Sequence, residues 1–358
     1  MRVVVAMSGG VDSSVAAALL VEAGHEVIGV HMKLHDAPTP TAGAAPGASS
    51  SKTCCGLDDA LDARRVSDDL GIPFYVWDLK QAFEAEVMRT FAEEYRRGRT
   101  PNPCVLCNGV LKFDVLLKRA RALGADRLAT GHYAQITEDG RLKMAVDLDK
   151  DQSYFLFPMR PDALAATLFP LGGMSKAEVR AHAARLGVIT AAKPESQDVC
   201  FLPAHDHARF VAERFPELHG AGDITDERGV VLGQHDGYWR FTVGQRRGLG
   251  VAAPTPLYVL RVEPETRRVI VGPEDRLAHQ SLTATGVRWH RAPDGATDLH
   301  ARIRHRGALT PVEVRPGEDD TATVRFRAPA RAAAPGQAIV FYDGDEVLGG
   351  GWIRSVMQ

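Results

Sequence analysis

Val3-Val4-Val5-Ala6-Met7-Ser8-Gly9-Gly10-Val11-Asp12-Ser13-Ser14 is the stretch on which the fold turns. Its first four residues are apolar and mostly β-branched, the pattern of a short strand buried on both faces. A Ser/Gly turn follows, and Ser13 to Ala23 then reads as a helix stopped by Gly24. Two glycines let the backbone turn tightly and bring N–H groups against an anion. The serine hydroxyls add donors, and the helix aims its positive end at the same point. No Gly-Lys-Ser/Thr follows and the loop holds no lysine, so this is not a Walker loop. A Ser/Gly loop with an aspartate suits a departing pyrophosphate, with Asp12 helping to hold a magnesium ion. The plain alternative is a glycine-rich strand-to-helix turn, which leaves the serines and the aspartate unexplained.

Outward from this loop, strand and helix patterns alternate. Glu26 to Met32 reads as a strand, Leu57 to Leu70 as a helix, Phe74 to Trp77 as a strand and Gln81 to Arg97 as a long helix. A loop comes next, then a helix over Leu111 to Leu123 and a strand over Arg127 to Thr130. That order predicts a parallel sheet covered on both faces. Asp36 to Lys52 has almost no large apolar side chain and is expected to be a mobile surface loop, a lid or a neutral insertion. Ser175-Lys176-Ala177-Glu178 has capping-box spacing and opens a helix running to Leu186.

From Gly222 onward the text becomes short β-rich runs: Tyr238 to Val243, Leu257 to Val262, Val269 to Val271, Ala322 to Phe326 and Ala338 to Tyr342. Asp343-Gly344 between two apolar runs is a hairpin signal. The expected architecture is α/β: a parallel-sheet nucleotide domain over 1–207, a small β-rich central domain over 208–278 and a C-terminal antiparallel β-barrel over 279–358.

The 358 residues suit two or three domains. A net charge of −2, from 43 basic and 45 acidic residues, excludes a general polycation but not a local basic groove. No apolar run, Val15 to Val21 included, approaches the roughly 20 residues needed to cross a bilayer. No leader precedes the first strand, so the expected compartment is the cytoplasm. Five cysteines there do not suggest a disulfide scaffold.

Thr100-Pro101-Asn102-Pro103-Cys104-Val105-Leu106-Cys107-Asn108 falls in the loop after the long helix. Its two prolines are expected to hold the backbone extended, letting both thiols point into a cleft. Ser196-Gln197-Asp198-Val199-Cys200-Phe201 supplies a further thiol. Cys-x-x-Cys alone fits zinc or redox chemistry. Beside a pyrophosphate loop it suggests sulfur transfer. Adenylation turns a carbonyl oxygen into a leaving group, a persulfide or thiolate displaces AMP, and a second thiol releases the product by disulfide exchange. Cys54-Cys55 reads as structural or incidental.

The string Ser8 to Ser13 resembles the loop of the PP-loop ATP pyrophosphatases, which share the adenine nucleotide alpha hydrolase-like fold. Adding Asn102-Pro103 with Cys107-Asn108, Ala129-Thr130-Gly131-His132-Tyr133, Lys150-Asp151-Gln152-Ser153-Tyr154, Cys200-Phe201, Gly244 to Gly250 and Pro335-Gly336-Gln337, the chain resembles the bacterial tRNA 2-thiouridylases over essentially its whole length. That resemblance implies ATP-dependent exchange of O2 of the wobble uridine for sulfur. It assigns Ala6, Met7, Ser8, Gly9, Gly10, Val11, Asp12, Ser13, Met32 and Gly131 to ATP with Mg2+. Cys200 becomes the persulfide carrier and Cys107 its catalytic partner. Asn102, Pro103 and Cys104 would meet the target base. His132, Lys150, Asp151 and Gln152, with Arg304, His305 and Gln337 of the barrel, would meet tRNA. A sulfur-donor protein, either a desulfurase or a relay carrying persulfide, is the implied partner, with no membrane.

Some members of that family have aspartate where this chain has Cys104. A thiol, with an ordinary pKa of about 8.5 against about 3.9, cannot take over a carboxylate's role. With Cys104, Cys107 and Cys200, two readings stand: a persulfide relay, or a 4Fe–4S cluster on the three thiols that delivers sulfide, with structural zinc as the plain alternative. Arg302, Arg304 and Arg306 alternate, and on a strand they would form a one-faced row for RNA phosphates or a solvated barrel face. Gln245 to Gly250 is expected to be a turn that braces the connector or touches RNA. The competing functions are a synthetase-type PP-loop enzyme using ammonia and a non-catalytic RNA-binding protein with a cysteine-bound metal.

Overall fold

In β1 (Arg2–Ala6), Val3, Val4 and Val5 are fully buried, as a central parallel strand requires. Each such side chain contributes about 1.5–3 kcal/mol relative to exposure. The computed structural model describes residues 1–36, 57–191, 193, 199–202, 206–218, 221–294 and 299–357. Cys54, Cys55, Ser196 to Asp198 and the expected loop beyond Asp36 lie outside them. The chain divides into two bodies, one of residues 1–88, 104–205 and 345–347, the other of 89–103, 206–344 and 348–358.

The first body is built on a five-stranded parallel sheet. β2 (Glu26–Lys33) and β4 (Arg127–Thr130) flank β1, β3 (Phe74–Asp78) lies outside β2, and Thr167–Leu168 lies outside β4. Register pairs Ala6 with Val30 on one side and Thr130 on the other, so three strand ends share one carboxyl edge. The order reverses direction at β1, which is where open α/β sheets hold ligands. Helix α1 (Val11–Glu22) buries Val11, Val15 to Ala18 and Leu20, so it is small or apolar nearly all round and packs deep. Helix α2 (Leu57–Asp69) is half-exposed and turns only Ala63, Val66 and Ser67 inward.

The largest departure from expectation lies at 100–108. Pro103–Leu106 is helical and runs on through a π-helical stretch, Cys107–Leu116, into Leu117–Ala122. Pro103 occupies the first helical position, where its missing N–H has no intrahelical partner to lose and its fixed φ suits the helix. The prolines mark a helix start, not an extended cleft wall. The expected capping box is present: Glu178 N donates to Ser175 Oγ (3.2 Å) and Ser175 N to Glu178 Oε2 (2.7 Å), opening Lys176–Arg185.

In the second body, Tyr258–Glu263, Arg268–Gly272, Gly222–Thr225 and Val231–His235 form a four-stranded mixed sheet. The strand expected at Tyr238 to Val243 is instead a 3-10 turn, Tyr238–Arg240. Its rings work as plugs: Tyr238 Oη donates to Arg96 O (2.6 Å) and Trp239 Nε1 to Ala208 O (3.2 Å). Six antiparallel strands then close a barrel, in the order Ala278–Trp289, Ala322–Arg331, Thr310–Pro316, Leu299–Arg302, Ala338–Asp343, Glu346–Met357 and back to the first. Gly344, at φ +59°, makes the expected hairpin turn. Among the described residues no helix is long and apolar enough to cross a membrane.

Candidate active site

The loop between β1 and α1 is shaped by its glycines and wired by its serines. Gly9 sits at φ +73°, and a Cβ there would lie 2.2 Å from Asp59 O at the start of α2, so only glycine fits. Ser8 N donates to Ser13 Oγ (3.1 Å), and Ser13 Oγ and Ser14 Oγ donate to Gly10 O (3.1 and 2.9 Å). Gly10 is the N-cap of α1 and brings no side-chain acceptor, which leaves the first helical amides to an anion from outside. Ser8 is exposed, and Gly10 and Asp12 are partly so. Ala6 ends β1, and Val11 is buried beneath the loop. Met7 is also buried, braced by His31 Nδ1–H on its carbonyl (2.9 Å) and Ser67 Oγ on its sulfur (3.2 Å). Its side chain supports the loop from below.

Met32 and Gly131 lie at the same carboxyl edge. Met32 is half-buried near the end of β2. Gly131 follows β4, and a Cβ there would come within 2.7 Å of Ser13 N, so the strand end can abut the helix start only as glycine. The loop, these two residues and the start of α1 thus share the carboxyl edge of the sheet, the place where open α/β sheets hold ligands.

Two lysines that the sequence does not place at the site close on this loop. Lys176 Nζ donates to Asp12 Oδ1 (2.7 Å), which also accepts from Tyr133 Oη (2.8 Å). Lys193 Nζ donates to Gly9 O (2.9 Å), Asp59 Oδ1 (2.7 Å) and Asp62 Oδ2 (2.7 Å). Burial works against the Lys193 charge, yet the two carboxylates outweigh it and raise its pKa. The one local signal for Lys176 was its place in the capping box: a cation in a helix's first turn opposes the dipole.

His132 stands between Phe113 and Phe169, each ring centroid 5.9 Å away. Its Nδ1 is 2.6 Å from Thr130 Oγ1 and its Nε2 is 3.5 Å from Lys112 Nζ. Burial first, and the Lys112 charge second, hold its pKa well below 6.5, so the ring is neutral near pH 7. The lysine then donates to Nε2 and the proton sits on Nδ1, facing Thr130.

Asp151 and Gln152 turn inward. Asp151 is 2% exposed, and its carboxylate accepts from Ala145 N and Ser153 N (both 3.1 Å) and from Ser153 Oγ (2.9 Å). Gln152 Oε1 accepts from Tyr133 N (2.9 Å), and Gln152 N donates to Tyr133 O (2.8 Å). These two shape the turn that carries the half-exposed Lys150.

Cys104 is exposed and Cys107 half-exposed, three positions apart near a helix N-terminus and therefore on neighbouring faces. Cys200 is half-buried beside Phe201, whose ring packs edge-on against Phe83 at 5.6 Å. Among the described residues no three His, Cys, Asp or Glu side chains are grouped to hold a metal ion. The three-thiol cluster reading therefore has no assembled metal-donor set among the described residues.

In the second body, Gln337 Nε2 donates to Thr100 O (3.0 Å) and Pro101 O (3.4 Å), holding the backbone that leads to Asn102 and Pro103. The expected arginine row does not form. Arg302 ends its strand with its guanidinium 5.4 Å from the Tyr342 ring centroid, while Arg304, His305 and Arg306 lie in the following turn. Gln245 braces its own turn, accepting from Thr242 N (3.1 Å) and donating to Arg247 O (2.9 Å).

Residues 1–204 match the family described as tRNA methyl transferase HUP domain, 208–273 the tRNA methyl transferase PRC-barrel domain, and 279–353 the aminomethyltransferase beta-barrel domain. The tRNA-specific 2-thiouridylase MnmA of Geotalea uraniireducens is 52% identical to this chain, covering 100% of it and 96% of the relative. That of Geobacter metallireducens is 52% identical over 99% of this chain and 97% of its own length. That of Magnetococcus marinus is 50% identical over 98% of each. Carrying the phosphate loop, the cysteine helix and the closed barrel, the chain belongs to the tRNA-specific 2-thiouridylase family.

Proposed function

We propose that this protein is an ATP-dependent tRNA-uridine 2-sulfurtransferase acting on the wobble uridine in the cytoplasm. The carrying observation is the Gly9-Gly10 cradle at the sheet's carboxyl edge, in a chain that also offers thiols at a helix start. Uridine O2 attacks the α-phosphorus of ATP, and pyrophosphate leaves with Mg2+ held in part by Asp12. The terminal sulfur of a Cys200 persulfide then attacks C2 and AMP departs. The Cys107 thiolate attacks the Cys200 sulfur, frees 2-thiouridine and closes a Cys107–Cys200 disulfide that a cellular thiol reductant reopens. A persulfide-carrying donor protein reloads Cys200.

Asn102, Pro103 and Cys104 receive the base. His132 acts as a neutral, positioned ring, and Lys150 with Arg304 and His305 meets the tRNA. Asp151, Gln152 and Gln337 serve by holding the segments around those contacts. The working division of the chain is 1–207 for adenylation and thiolation, 208–278 as connector and 279–358 for tRNA. Among the described residues no three His, Cys, Asp or Glu side chains are grouped to hold an iron–sulfur cluster, and the sulfur travels by the persulfide.

Nucleoside mass spectrometry of tRNA from cells whose sole copy is Cys200→Ser tests the assignment. Loss of 2-thiouridine, with tRNA-dependent pyrophosphate release intact, is expected; undiminished thiolation removes Cys200 from the mechanism. Pyrophosphate release that needs ammonia instead of tRNA would establish the synthetase reading, and none at all a binding protein.

A further inference from the structure

Lys176 is out of place by local rules. It opens a helix, where its charge opposes the dipole, and its side chain is only 12% exposed, so the ammonium has shed most of its water. Its Nζ lies 2.7 Å from Asp12 Oδ1 and 5.6 Å from the Tyr133 ring centroid. Asp12 is the second residue of α1, the helix whose amides form the anion cradle, and its side chain is 29% exposed. A solubilising ion pair needs neither this burial nor this address. The loop has no lysine of its own, yet a pyrophosphate leaving group needs a cation where its charge develops.

We propose that Lys176 is the β,γ-phosphate ligand of this site, supplied from 164 residues downstream of Asp12. In the nucleotide-free pair, Asp12 occupies the ammonium. When ATP binds, the ammonium donates to β- and γ-phosphate oxygens, and the released carboxylate turns to the magnesium that ATP brings. In adenylation the bond from uridine O2 to the α-phosphorus forms as the bond to the bridging oxygen breaks. The electron pair stays on pyrophosphate, and Lys176 neutralises it without giving up a proton. This deepens the adenylation reading above and rests on it.

The test is calorimetric binding of Mg·ATP, inorganic pyrophosphate and AMP to the full chain, as wild type, Lys176→Met and Lys176→Arg. Lys176→Met is expected to weaken ATP and pyrophosphate about 10- to 100-fold, the loss of one charge-assisted contact, and AMP less than about twofold. Lys176→Arg is expected to recover most of it. Asp12→Asn, which removes the competing carboxylate, is expected to tighten magnesium-free pyrophosphate binding. Equal losses for all three ligands would reduce Lys176 to a brace of the loop, and unchanged ATP and pyrophosphate affinities would remove it from the phosphates. Wild-type protein that binds none of the three would overturn the nucleotide reading itself. Thermal melts of each variant identify a misfolded one, in which case Lys176→Gln repeats the comparison.

Discussion

Two helix starts in the first body differ in who satisfies their amides. At Ser175 the cap is closed, because serine and Glu178 exchange hydrogen bonds and the end is complete within the chain. At Gly10 the cap brings no side chain, and the serines nearby point back at the turn. A closed cap stabilises a fold; an open one at a sheet's carboxyl edge offers its dipole to a ligand. Helix starts that look alike as punctuation in sequence thus do opposite work.

Two substitutions and one pH dependence sharpen that contrast, in falling order of effect. Gly9→Ala puts a Cβ where Asp59 O stands and forces a left-handed backbone on alanine. Displacing the cradle by about 1 Å should cost about 100-fold in tRNA-dependent pyrophosphate release. Activity within about threefold of wild type would show that the loop's path does not matter. Ser175→Ala should cost about 1 kcal/mol of stability by denaturant melt, with pyrophosphate release per folded molecule nearly unchanged. A large loss of activity without loss of stability would merge the two helix starts into one function.

The smallest effect is in pH. Hydrogen bonds from the Ser175 backbone, then its hydroxyl, hold Glu178 below its ordinary 4.5. A depressed carboxylate contributes stability that is complete above the unfolded pKa and fades as pH falls through the folded one. The stability gap between wild type and Ser175→Ala should therefore be constant near pH 7 and narrow below about pH 4.5. A gap that widens on acidification would contradict the capping geometry.

Where local chemistry governs, the sequence was readable. The β-branched run of β1, the Gly9-Gly10 turn, the Ser175 box and the Gly344 hairpin each follow from two to five neighbouring residues. It misled where one residue supports two structures. Pro103 suits an extended segment or a first helical turn, and packing chose the helix, moving Cys104 and Cys107 onto its face. Tyr238 and Trp239 have β propensity, but each polar tip found a distant carbonyl and the chain curled to reach it. The alternation at Arg302, Arg304 and Arg306 presumed a strand that ends at Arg302.

The sequence by itself determined the parallel-sheet class, the Gly9-Gly10 turn and the family, because these rest on short-range sterics and on strings of adjacent residues. Only tertiary structure decided which charges meet that loop, bringing Lys176 to Asp12 and Lys193 to Gly9 across 164 and 184 residues. It also decided that Asp151 and Gln152 face inward. The reason is physical: strand order fixes which distant segments share the carboxyl edge, and burial then forces each polar group arriving there to find a partner that sequence proximity does not name.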